Sequence, residues 1–135
     1  MNTPSLRYAL LAGVVIFCSM SVAHFFSLKY PLLFVYYDTP YYLYQDRIIS
    51  FCLIAYACLF YTAAEHRAAV PAALLALSAT VLGLSAINYS EALRMINEGH
   101  STTPYWVETS IFASYLLVLI GLYLNGPRNG VIATR

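Results

Sequence analysis

Residues 68–93 read AAVPAALLALSATVLGLSAINYSEAL, and this stretch decides the fold. It carries one charged residue, Glu91, near its far end. A bilayer's hydrocarbon core is about 30 Å thick, and a helix rising 1.5 Å per residue crosses it in about 20 apolar residues. Ala68–Leu93 is long enough. Three further stretches have the same character: Leu6–Leu28, Tyr41–Ala64 and Tyr105–Leu124. The reading is an all-α fold, a four-helix transmembrane bundle that fills residues 1–135 as a single integral membrane domain.

Composition agrees. Hydrophobic residues make up 61% of the 135 and charged residues 10%, against about 45–50% and about 25% in soluble domains. Mean hydropathy is +0.67. A small soluble fold cannot hide that much apolar surface, because so much of its area stays exposed; lipid can. The net charge of +1 leaves no basic field for nucleic acid. The start Met1–Arg7 and the triplet Ser21-Val22-Ala23 resemble a signal peptide and its cleavage site. The apolar run continues through His24-Phe25-Phe26, however, and is long for a signal, so the first helix is expected to stay. Cys18, Cys52 and Cys58 lie within spans and form no C-x-x-C pair; they read as buried structural thiols.

Arg7, Arg67, Arg128 and Arg135 fall on one side of the bundle, and Lys29, Arg47 and Arg94 on the other. Four against three points to both termini in the cytoplasm, in a bacterial inner membrane. Five of the six acidic residues lie on the opposite side. The connection Glu65-His66-Arg67 is so short that the second and third helices must be antiparallel neighbours. The first outer loop is rich in tyrosine: Tyr30, Tyr36, Tyr37, Tyr41, Tyr42 and Tyr44. Such rings settle at the headgroup level, as an aromatic belt or as a lid over a cavity. Residues 30–37 suit a short interfacial helix.

Two helix starts echo each other. Thr39-Pro40-Tyr41-Tyr42 precedes the second helix, and Thr103-Pro104-Tyr105-Trp106 precedes the fourth. Each offers a capping Thr, a first-turn Pro and an interfacial aromatic pair. The same offset carries His24 onto Asn88. Two duplicated helical hairpins produce this pattern, and so does convergence on good starting chemistry. Both place the two starts at similar depth.

Lipid is as apolar as leucine, so close backbone packing and interhelical hydrogen bonds must hold such a bundle. Ala72, Ala76, Ala79, Gly83, Ala86 and Ser90 form a small-residue stripe along the third helix. Ser110, Ser114, Leu117 and Gly121 form a shorter one on the fourth. The stripes are expected to face the core, with a homodimer interface as the alternative.

Ionisable and other polar residues at membrane depth suggest function. Here they gather at the outer end: His24 on the first helix, Asp46 on the second, Asn88 and Glu91 on the third, Glu108 on the fourth. With Tyr42 and Trp106 they outline a ligand pocket. Each has a plain alternative. Glu91 and Arg94 suit an i,i+3 pair, Arg47 can snorkel to water, and Glu108 suits a helix N-terminus. Four helices contributing at one depth favour a shared cavity.

Three roles fit. The leading one is a non-enzymatic membrane component that binds a small amphipathic molecule, such as a lipid or a quinone-like compound, or a membrane-complex partner. The second is a small membrane enzyme, with Glu91 or Glu108 as acid or base and His24 as its partner or a metal ligand. The third is a structural subunit whose polar groups serve helix association. No H-x-x-x-H or E-x-x-H motif fixes a metal site, so no metal residues are assigned, and no cofactor motif is present. His66 and His100 lie at the wrong depth to join His24 around a haem. Phosphate-cradling and esterase motifs are missing.

Overall fold

The computed structural model describes residues 1–29, 42–97 and 100–126. Five helices follow in order: α1 Pro4–Phe25, α2 Tyr42–Glu65, α3 Val70–Asn88, α4 Glu91–Ile96 and α5 Thr103–Leu124. A single 3₁₀ turn, Arg67–Ala69, leads into α3. All but α4 are long and apolar enough to cross a bilayer. The protein is an all-α four-helix bundle and a small multi-pass membrane protein. Large apolar side chains such as Val15, Phe51, Leu75, Leu82 and Leu117 lie on its outer surface, where hydrocarbon is their natural solvent.

The helices pair as hairpins. α1 packs chiefly on α2 and α3 chiefly on α5, while smaller contacts join α2 to α3 and α1 to α5. The result is a closed ring in the order α1–α2–α3–α5. Its core is built around Phe17, whose ring meets Phe60 edge-on at 5.0 Å, Tyr56 at 5.2 Å and the stacked Phe112 at 6.1 Å. Leu6, Leu10, Leu77 and Leu119 complete it. Gly13 lets α1 approach its neighbours: a Cβ there would meet the Phe60 ring at 2.6 Å and collide with the Tyr115 hydroxyl.

Polar groups close the helix ends and cross between helices. Asn2, just before α1, donates from Nδ2 to the carbonyls of Ala63 at 2.7 Å and Ala64 at 2.9 Å, satisfying acceptors that the last turn of α2 leaves open. Arg67 Nη2 does the same for Tyr123 at the end of α5, at 3.0 Å. Arg7 pairs with Glu65 at 2.8 Å. These contacts place the start of α1, the α2–α3 connection and the end of α5 at one end of the bundle. Midway, the Tyr115 hydroxyl donates to the Ala9 carbonyl at 2.8 Å.

Four expectations need correction. The third span does not run to Leu93. It stops at Asn88, because Ser90 Oγ accepts from the Leu93 N–H at 3.2 Å and caps a new helix, α4. The stripe on α3 faces outward: Ala72, Ala79, Gly83 and Ala86 are exposed, and nothing lies within 4 Å of a Cβ built on Gly83 or on Gly121. Close packing is carried instead by Gly13, Ala57, Ala63, Ala64 and Ala73. Cys52 and Cys58 are exposed on the outer surface of α2, and Cys18 is half-buried. Finally, Thr103 does not cap α5. The N-cap is Thr102, which makes no side-chain cap bond, while Ser101 Oγ accepts from the Thr103 N–H at 3.2 Å. Residues 30–41, which hold the proposed interfacial helix, the Thr39-Pro40 start and most of the tyrosine cluster, lie outside the described residues, as does the side chain of Tyr42.

Candidate functional site

His24 sits in the last turn of α1, and the way that helix ends fixes its position. Ser27 adopts a left-handed backbone (φ 50°). Its N–H then donates to the His24 carbonyl at 3.1 Å, and the Leu28 N–H donates to the Ala23 carbonyl at 2.8 Å. This is the hydrogen-bond pattern of a helix C-terminus closed by one left-handed residue. Serine there, without glycine's freedom, marks a turn imposed by its surroundings.

Opposite His24 stands Asp46, in the second turn of α2. His24 Nδ1 and Asp46 Oδ1 are 3.2 Å apart, and each residue is 5% exposed. About one turn further in, Ser21 Oγ donates to the Ser50 carbonyl at 2.9 Å and locks the register of α1 against α2. Oδ2 of Asp46 is buried without a hydrogen-bond partner among the described residues.

The second hairpin has a matching feature. Asn88, the last residue of α3, is buried. Its Nδ2 donates to Thr109 Oγ1 at 2.9 Å and to the Tyr105 carbonyl at 3.3 Å, both on α5. The Thr109 hydroxyl in turn donates to that carbonyl at 2.9 Å. In each hairpin, then, a buried polar side chain near the end of the first helix meets one early in the second.

Between the hairpins lies a cavity of about 540 Å³. His24, Asp46, Asn88 and Glu108 all line it. Glu108 is half-buried, with no hydrogen bond or ion pair to any described residue. Phe17, Met20, Leu53, Leu84 and Phe112 form apolar walls, and Leu93 and Ile96 of α4 close another side. Tyr56 and Thr80 add a polar patch deeper in, their hydroxyl oxygens 2.8 Å apart.

The structure thus brings together four of the residues singled out from the sequence. It leaves others outside. The break at Ser90 moves Glu91 onto α4, where it is exposed and does not line the cavity; Arg94, also exposed, makes no ion pair with it. Trp106 is half-buried and meets Tyr89 edge-on at 4.8 Å, clasping the end of α3 to α5. It lines a shallow groove on the outer side of α5 with Ser110 and Ser114. Sequence reasoning overlooked Tyr56, Thr80 and Gln45. A signal existed for Tyr56: Asp46, Ile49, Leu53 and Tyr56 step by three and four residues along one helix face, and all four line the cavity.

Chemically the site offers two carboxyl groups, one imidazole and hydroxyls inside an apolar shell. Among the described residues no three of His, Cys, Asp and Glu gather closely enough to hold a metal ion. No protein family, curated protein or solved structure matches this chain.

Proposed function

We propose that the protein is a non-enzymatic membrane component that binds one small amphipathic molecule in the cavity between its two hairpins. The observation that carries this reading is the shape of that space. It holds about 540 Å³, within the range of small-molecule sites, and it combines apolar walls with a few convergent polar groups. His24, Asp46, Asn88 and Glu108 would take the polar head, and the Phe17–Phe112 side would take the apolar body. Lipids and quinone-like compounds are the membrane-soluble classes of this form. Leu84 lines the cavity from α3, so Leu84→Trp should fill it. Native mass spectrometry after mild extraction should find a bound small molecule in the wild type and little or none in Leu84→Trp. Leu75→Trp, on the outer surface, should keep it. Equal retention by all three would reject the cavity as the site.

A second reading, a small membrane enzyme, is favoured by one observation. Asp46 orients the imidazole of His24, the arrangement of a general base and its positioning group, and Glu108 lines the same space as a potential acid.

The end of the bundle that carries Arg7 and Arg67 is assigned to the cytoplasm of a bacterial inner membrane, because the positive-inside rule favours it. The end with Asp46, Glu91 and Glu108 then faces outward. A fluorescent protein fused after Arg135 should fluoresce, and alkaline phosphatase fused there should be inactive. The opposite pair of results would invert the topology.

A further inference from the structure

We infer that the molecule held in this cavity is a cationic amphiphile, an amine on an apolar body. The inference rests on the cavity being a binding site, and it names the class of ligand.

Charge is the first argument. Among the described residues, the lining includes the carboxyl groups of Asp46 and Glu108 and no Lys or Arg side chain. A fatty acid or a phosphate headgroup would bring a further negative group beside them, where the one basic side chain of the described lining, His24, already faces Asp46. An ammonium group brings a partner for the second carboxyl, that of Glu108.

Hydrogen-bond supply is the second. The donors of Asn88 and Thr80 are spent on the protein itself, whereas Gln45, which also lines the cavity, is exposed. Asn88 Nδ2 serves Thr109 and Tyr105. The Thr80 hydroxyl donates to the Ala76 carbonyl at 3.0 Å, which leaves its oxygen to accept from Tyr56. The two carboxyl groups keep acceptor capacity open. Among the described residues Asp46 Oδ2 has no donor, on a side chain that is 5% exposed, and neither has the Glu108 carboxyl. A buried acceptor without a donor is costly, so a ligand that donates gains most here. A protonated amine donates up to three charge-assisted bonds, whereas an oxidised quinone donates none. Rotation of the Asp46 carboxyl about Cβ–Cγ, a soft torsion, exchanges its two oxygens between His24 and the cavity.

The ligand's body is set by the walls. Phe17, Met20, Leu53, Leu84 and Phe112 match an alkyl or fused-ring hydrocarbon, and the Tyr56 and Thr80 hydroxyls deeper in are bonded to each other.

Decylamine, decanol and decanoate share one chain length and differ in head group. Each should be titrated against the intact protein in a non-ionic detergent at neutral pH, with binding read by native mass spectrometry. Decylamine should bind about tenfold tighter than decanol, and decanoate should not be retained. Asp46→Asn and Glu108→Gln should bring decylamine down to the level of decanol. Glu108 makes no bond to the described protein, so Glu108→Gln gives a reading even if Asp46→Asn fails to fold. Glu91→Gln, an exposed carboxyl outside the cavity, should change nothing. Equal binding of amine and alcohol, or preference for decanoate, would overturn the cationic class and leave the cavity standing as a site. A loss in Glu91→Gln as large as in Glu108→Gln would reduce the effect to surface attraction and overturn the proposal. If none of the three binds and Leu84→Trp retains whatever the wild type retains, the cavity reading falls too.

Discussion

Replacing Gly13 by alanine should destabilise the bundle, and replacing Gly83 by alanine should not. Both glycines lie within apolar helices, and both gain helix propensity on substitution, about 1 kcal/mol in a helix interior. Their surroundings reverse the outcome. A Cβ at Gly13 meets the Phe60 ring at 2.6 Å and the Tyr115 hydroxyl closer still. Neither can step aside freely. Phe60 is fully buried and wedged against Phe17, and the Tyr115 hydroxyl is tied to the Ala9 carbonyl. Overpacking a well-filled core costs about 1–3 kcal/mol, which exceeds the propensity gain. Gly13→Leu, with three more carbons to place, should prevent α1 from seating on α2 at all. Gly83 has open space around it, so only the propensity gain remains. Thermal unfolding in detergent should therefore rank Gly13→Leu below Gly13→Ala, Gly13→Ala below wild type, and Gly83→Ala level with or above wild type. A fall in Gly83→Leu as deep as in Gly13→Leu would mean that a second chain sits on the outward stripe.

The same pair shows how much of the fold could be read from residues alone. Four spans were legible because length and apolar content settle them, and the hairpin pairing followed from the short Glu65-His66-Arg67 connection. The direction each helix faces was not legible. A soluble helix declares its buried side through amphipathicity, but α3 is apolar all round, so the stripe Ala72–Ser90 fits a core-facing side and a lipid-facing side equally well. Polar residues gave the better compass. Asn88 lies away from the stripe, and it is Asn88 that turns inward. Glu91 misled because a single Ser90 inside an apolar run looks like any small residue, until its hydroxyl caps the next turn. The cavity's polar mouth was legible from four helices placing polar groups at one depth. Its deeper patch was hidden, because Tyr56 and Thr80 matter only through contact with each other across two helices.

The other large effect concerns the buried pair at that mouth. His24→Ala should cost about 3 kcal/mol of stability, because it leaves the Asp46 carboxyl buried with neither oxygen bonded to any described residue. Asp46→Leu should cost less, since it removes the buried charge and leaves an imidazole that can be neutral. The double variant His24→Leu/Asp46→Leu should lie close to wild type: exchanging a buried ion pair for apolar side chains of similar size is often neutral or stabilising. The three variants close a thermodynamic cycle, with denaturation in mixed micelles as the measurement. If the pair exists for the ligand's sake, the double variant should fold as well as wild type and lose the bound molecule. If it exists to join α1 to α2, the double variant should keep whatever the wild type retains, since Ser21 and Ser50 still fix the register of the two helices. Stability alone cannot separate these roles. A well-folded double variant with an empty cavity separates them, because packing then survives and only the polar head's partner is gone.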